Sequence, residues 1–129
     1  MGTDEVLSRP AAPAPGTMLC TLAELEATGA RGLTFRDDGK LFMMFVVRTP
    51  AGAAAYVNSC PHLGTPLNFL EHRFLTADKT RLQCATHGAQ FEPETGLCLQ
   101  GPCLGAHLKP VPIVIEGESV RIAARMVDS

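Results

Sequence analysis

The sequence predicts an all-β domain of antiparallel strands with one short N-terminal helix, and three observations carry the prediction. Short apolar runs at Leu33–Arg36 and Leu41–Arg48 flank the turn sequence Asp37-Asp-Gly-Lys40. Near the end of the chain Val111, Ile113 and Ile115 alternate, Glu116-Gly-Glu118 turns, and Val120, Ile122 and Ala124 alternate back. Between these β regions, residues 59–110 are rich in Gly and Pro, hold all the histidines and every cysteine but Cys20, and show little periodicity. Loops held by a rigid sheet commonly carry chemistry, so this segment reads as the presented site.

Composition narrows the function classes. A chain of 129 residues suffices for one domain with a real core. Apolar residues at 46% and charged residues at 19% describe a soluble globular protein. The net charge of −2, with both signs interspersed, argues against a nucleic-acid partner. Met1-Gly-Thr-Asp-Glu-Val lacks the basic start and apolar stretch of an export signal. The longest apolar run, Leu41–Val47, is seven residues, against the ~20 that a membrane helix needs. The expectation is a cytoplasmic protein with no membrane partner. A reducing compartment makes metal ligation the better use of its five cysteines than a disulfide framework.

Taken in order, residues 1–16 are rich in Pro, Ala and Gly and read as a flexible leader. The domain is expected over residues 17–125, with a tail at 126–129. Thr21-Leu-Ala-Glu24 has the capping-box pattern, Leu22 and Leu25 share a face, and Gly29 can end the turn, which predicts the short helix. Strands follow at 33–36 and 41–48, with Gly39 supplying a positive φ. Leu41–Val47 is apolar without alternation and is expected to be buried on both faces, with Met43 and Met44 as packing residues. Thr49-Pro-Ala-Gly52 turns into a strand at 53–58. The site loops span about 58–110, and the hairpin around Gly117 closes the domain with one wet face.

Two segments carry the chemistry. Cys60-Pro-His62-Leu-Gly64 and Cys84-Ala-Thr-His87-Gly88 each pair one cysteine with one histidine at ligand spacing. Two thiolates and two imidazoles suit Zn²⁺ or an iron–sulfur centre, and spacing alone leaves both open. The flanks Pro61, Gly64, Pro66, Gly88 and Gly101-Pro102 would let backbone N–H groups approach bridging sulfides, which favours a cluster.

On these residues the chain resembles the Rieske [2Fe–2S] family. The first segment matches its Cys-x-His-x-Gly box. The second matches Cys-x-x-His-Gly, continuing through Phe91-Glu-Pro-Glu-Thr-Gly96 to Gly101-Pro102, and the resemblance runs from about Met18 to Ala124. It implies a Rieske-type antiparallel β-sandwich or barrel with a small cluster-binding subdomain. It also implies one [2Fe–2S] cluster, with Cys60 and Cys84 on one iron and His62 and His87 on the other, the imidazole edges exposed and the cysteine side buried. High-potential relatives carry an extra cysteine in each ligand loop, joined as a disulfide; Thr65 and Thr86 stand there in this chain. Those relatives also donate hydrogen bonds from a serine and a tyrosine, where this chain has Ala89 and Phe91. A ferredoxin-like midpoint near the bottom of the Rieske range of ~−150 to +300 mV is expected.

The expected function is single-electron transfer from a flavin-dependent reductase to a terminal oxygenase or other acceptor. Leu63, Thr65, Pro66 and Gln90, around His62 and His87, would form the docking face. Alternatives are an electron-supplying or small subunit of a redox complex, and a redox-sensing or zinc-binding regulatory module. An oxygenase would need a second domain with a mononuclear iron, usually held by two His and a carboxylate. The five residues after Ala124 leave no room for one, so the chain itself is not expected to be an enzyme.

The other candidates read more plainly. Cys98 and Cys103 read first as two small semi-buried residues, or as a reversible disulfide if their Cα atoms come within about 7 Å. Cys20 reads as core, and His72 and His107 as exposed or hydrogen-bonded side chains. Residues 71–81 read as a solvated hairpin in which Arg73, Lys79 and Arg81 could also meet a partner.

Overall fold

Local rules set most of the elements. In the computed structural model, which describes residues 12–50, 52–59, 74–76, 80–84, 88–101 and 104–123, the chain runs β1 (Met18–Thr21), α1 (Leu22–Thr28), β2 (Ala30–Asp37), β3 (Lys40–Thr49) and β4 (Gly52–Val57). It continues with β5 (Leu82–Gln83), β6 (Gln90–Phe91), β7 (Cys98–Gln100), β8 (Ile113–Glu116) and β9 (Ser119–Ile122). The capping box forms as expected. The Thr21 N–H donates to Glu24 Oε1 at 2.9 Å, and the Glu24 N–H donates to Thr21 Oγ1 at 3.1 Å. Gly29, at φ +83°, caps the other end in the left-handed region, and Leu25 is the fully buried face of the helix.

The strands form three antiparallel sheets, ordered β1-β9-β8, β2-β3-β4 and β5-β6-β7. Asp38 and Gly39, both at positive φ, make the two-residue turn between β2 and β3, with Asp37 opposite Lys40. That is the geometry whose twist suits a tight hairpin. β2 starts at Ala30, three residues before the strand expected from the sequence, because its ladder with β3 continues to Ala30 opposite Val47.

β3 separates two cores. Phe42, Met44 and Val46 face β1, α1 and β9, packing with Leu25, Val120 and Ile122. Phe45 and Val47 face the other way, toward Phe74, Leu82, Phe91 and Leu108. The expected burial on both faces therefore holds from Met44 to Val47. It fails at Leu41, which is 52% exposed, because β4 ends at Val57 opposite Met44 and the tip of the β2–β3 hairpin extends past it. In the closing hairpin, Val120 and Ile122 are buried, while Ile115 lies at the margin over Gly52.

Residues 12–16, within the expected leader, lie on this sheet. Pro13 is buried, Ala12 packs on the β1–β9 core, and the Gly16 N–H donates to the Ile122 carbonyl at 2.8 Å. Among the described residues no helix is long and apolar enough to cross a membrane.

Candidate metal centre

The β5-β6-β7 sheet is small, but its backbone closes around one expected ligand. Cys84 follows β5 directly. Its N–H donates to the Ala89 carbonyl at 2.8 Å, and its carbonyl accepts from the Gly88 N–H at 2.8 Å. Gly88 takes φ +75°, a left-handed conformation that costs a glycine little. The Cys84 side chain is fully buried in the core that also holds Leu82, Ala89 and Phe91. Of the expected ligands, Cys84 is the one within the described residues; Cys60, His62 and His87 lie outside them, as do Leu63, Thr65, Pro66 and Thr86.

Two further segments bear on the site. β4 leads toward Cys60 through Asn58, whose N–H donates to the Met43 carbonyl at 2.9 Å, and Ser59, whose N–H donates to the Val57 carbonyl at 2.9 Å. From the other side, Gly101 rests on the ligand turn. A Cβ built on Gly101 would stand 2.7 Å from the Ala89 Cα, closer than such atoms approach, and its φ of +109° also requires glycine. The third loop is thus seated backbone to backbone on the second. Its base is closed by the Cys98 N–H donating to the Ala106 carbonyl at 2.8 Å and the Gly105 N–H donating to the Cys98 carbonyl at 3.2 Å. Cys98 is buried, and its Sγ donates to the Gln100 carbonyl at 3.4 Å. Cys103, its expected disulfide partner, lies outside the described residues.

Two residues that the sequence left unmarked hold the site to the scaffold. The Tyr56 hydroxyl donates to the Pro93 carbonyl at 2.7 Å, linking β4 to the turn after β6. Gly96 packs beneath its ring, where a Cβ would come within 2.8 Å of Tyr56 Cε1. Burial, and then the carboxylates of Glu92 and Glu94, push the Tyr56 phenol up to about 12. Phe74 is 1% exposed and stacks on Phe45 with ring centroids 4.4 Å apart. The segment around it, residues 74–76, pairs antiparallel with residues 81–83, with the Thr76 N–H donating to the Arg81 carbonyl at 2.8 Å and the Gln83 N–H to the Phe74 carbonyl at 2.7 Å. The rest of the expected 71–81 hairpin lies partly outside the described residues. It is anchored rather than solvated, because Phe74 enters the core. No spacing rule signals either contact, since both join residues far apart in sequence.

The remaining candidates take the plainer reading. Cys20 is buried in the opposite core, and burial, then Glu24, push its thiol up to about 11 against the opposing charge of Arg31. His107 is exposed on the strand segment opposite Leu97. His72, Arg73 and Lys79 lie outside the described residues.

The described residues fit a cluster. The Cys84 thiol is fully buried in the core that holds Leu82, Ala89 and Phe91, a soft sulfur donor kept from water, which suits a metal centre. The Gly101 backbone, with no side chain of its own, lets the third loop close tightly on Ala89.

The architecture is an antiparallel β-scaffold carrying a small three-stranded module, with a buried cysteine directly after the module's first strand. A family model described as the Rieske [2Fe-2S] domain matches residues 17–116, and the chain belongs to that family. Its cofactor is accordingly a [2Fe–2S] cluster. No protein of curated function matches the sequence. Among solved structures, the ferredoxin of carbazole 1,9a-dioxygenase from Nocardioides aromaticivorans IC177 is similar at 22% identity and a TM-score of 0.62, over 87% of this chain and 100% of that one. A ferredoxin of Sphingomonas yanoikuyae B1 is similar at 23% identity and a TM-score of 0.62, over 85% of this chain and 99% of that one. A chain from a complex of reduced oxygenase and oxidized ferredoxin in carbazole 1,9a-dioxygenase is similar at 18% identity and a TM-score of 0.60, over 80% and 96% of the two chains. At these identities the likeness is one of fold.

Proposed function

We propose that this chain is a cytoplasmic one-electron carrier of the Rieske ferredoxin type, itself without catalytic activity. Cys60 and Cys84 hold one iron of the cluster, and His62 and His87 hold the other. When bound, the cluster supplies a one-electron couple. Electrons come from a flavin-dependent reductase and pass to a terminal oxygenase or another acceptor that docks near His62 and His87.

The observation that carries the reading is the Cys84 turn: a fully buried thiol on a closed backbone loop, with the Gly101 backbone lying on it. Burial of Cys84 with Ala89 and Phe91 keeps water from the thiolate side. Because those two side chains carry no hydroxyl, they donate nothing to stabilise added negative charge, and the midpoint stays low. Tyr56 and Phe74 fix the module against β3 and β4, so electron transfer needs little rearrangement of the protein. Transient docking over a small area is expected of such a carrier.

The test is a coupled assay. The purified protein is mixed with a flavin-dependent reductase of a Rieske oxygenase system and a reduced nicotinamide, and its visible absorption is followed. The reading expects bleaching by one electron per chain and recovery of colour on adding the oxygenase. Bleaching by dithionite alone, with neither protein exchanging electrons, would overturn the carrier role.

A further inference from the structure

Arg81 and Gln90 lie on the outer face of the hairpin that carries Cys84. Their neighbours Leu82 and Phe91 pair across the ladder and are fully buried, so alternation turns the flanking residues outward. Arg81 Nη1 donates to Gln90 Oε1 at 3.2 Å across the two strands. The Arg81 backbone is held as well, its carbonyl accepting from the Thr76 N–H at 2.8 Å and its N–H donating to Thr76 Oγ1 at 3.3 Å. Arg81 is half-buried, and among the described residues no carboxylate lies within ion-pair distance of it.

A guanidinium held this way is a fixed charge and not a solvated surface group. Arg81 stands three residues before Cys84, about 10 Å along the strand. Its partner Gln90 pairs with Gln83, the residue next to Cys84, and adjoins Ala89, whose carbonyl closes the ligand turn. We propose that Arg81 is a potential-setting residue, its tethered positive charge favouring the electron-loaded state of a cluster held by Cys84. This rests on the ligand assignment above. One electron enters, no bond forms or breaks, and the reaction adds one negative charge near a cation that is already in place. A half-buried charge acts through a medium less polarisable than water, so its pull on that electron is only partly screened. Arg81 thereby offsets part of what Ala89 and Phe91 fail to supply.

The test compares midpoint potentials of the cluster-loaded wild type with Arg81→Lys, Arg81→Gln, Arg81→Glu and Gln90→Ala. Each is titrated with dithionite and mediators at low and high salt, with the visible circular dichroism of the oxidised protein as a check on the cluster. The midpoint should fall in Arg81→Gln and further in Arg81→Glu. It should stay near wild type in Arg81→Lys, and fall less in Gln90→Ala than in Arg81→Gln. The gap between wild type and Arg81→Gln should narrow at high salt. A structural role would move Arg81→Lys as far as Arg81→Gln, and that result overturns the proposal. An intact cluster whose midpoint ignores residue 81 overturns it too, leaving the ligand assignment standing. A wild type that binds no cluster overturns both.

Discussion

Replacing Tyr56 with Phe isolates one hydrogen bond and one ionisation. The ring stays, and with it the contact to Phe45 at a centroid separation of 5.7 Å. What is lost is the 2.7 Å bond to the Pro93 carbonyl, whose acceptor lies half-buried and is only partly recovered by water. Such a loss costs about 1–2 kcal/mol, and for a domain of this size that lowers Tm by about 4–8 °C. The alkaline arm is independent of the first. Tyr56 is the sole tyrosine, so tyrosinate absorbance reports on it alone. Its phenol sits near 10 in the unfolded chain and is raised to about 12 in the fold. Above pH 10 the unfolded state therefore releases a proton that the native state keeps, and stability falls as pH rises. The contribution is complete below pH 10 and gone by pH 12, amounting to at most about 2–3 kcal/mol. Cys20, raised from 9.0 to about 11, adds a loss of the same sign beginning near pH 9. Urea titrations across this range should show a shallower alkaline decline in Tyr56→Phe than in wild type. Tyrosinate appearing at pH 10 in the folded protein, or a Tm unchanged by the substitution, would refute the reasoning.

Two further perturbations test the site's supports. Phe74→Ala removes a fully buried ring stacked on Phe45 and should cost about 3–5 kcal/mol; the chelator-driven loss of visible colour should accelerate, and an unchanged rate would remove Phe74 from the anchoring role. Ala89→Ser together with Phe91→Tyr adds the two missing hydroxyls and should raise the midpoint potential. No movement in a redox titration would mean that those side chains do not reach the cluster.

Much of the scaffold was legible because it obeys local rules. Thr21, Glu24 and Gly29 bound the helix as their side-chain chemistry dictates, and Asp38-Gly39 makes the tight turn. At the site, the burial of Cys84 is what the family resemblance implied for the cysteine side, while Cys60, His62 and His87 lie outside the described residues. The site module was harder to read, because β5 and β6 are two residues each and no periodicity can develop over that length. Its attachment was invisible for another reason. Tyr56 reaches Pro93 and Phe45 meets Phe74 across long separations, so tertiary packing and not propensity decides them. Leu41 shows the converse: an apolar residue placed at a hairpin tip beyond the last strand that could cover it.

Chemical analysis of protein purified without oxygen bears most directly on what Cys60, His62, Cys84 and His87 do. Iron and acid-labile sulfide in equal amounts, two of each per chain, are what a [2Fe–2S] centre requires. Zinc at full occupancy with no labile sulfide would contradict it.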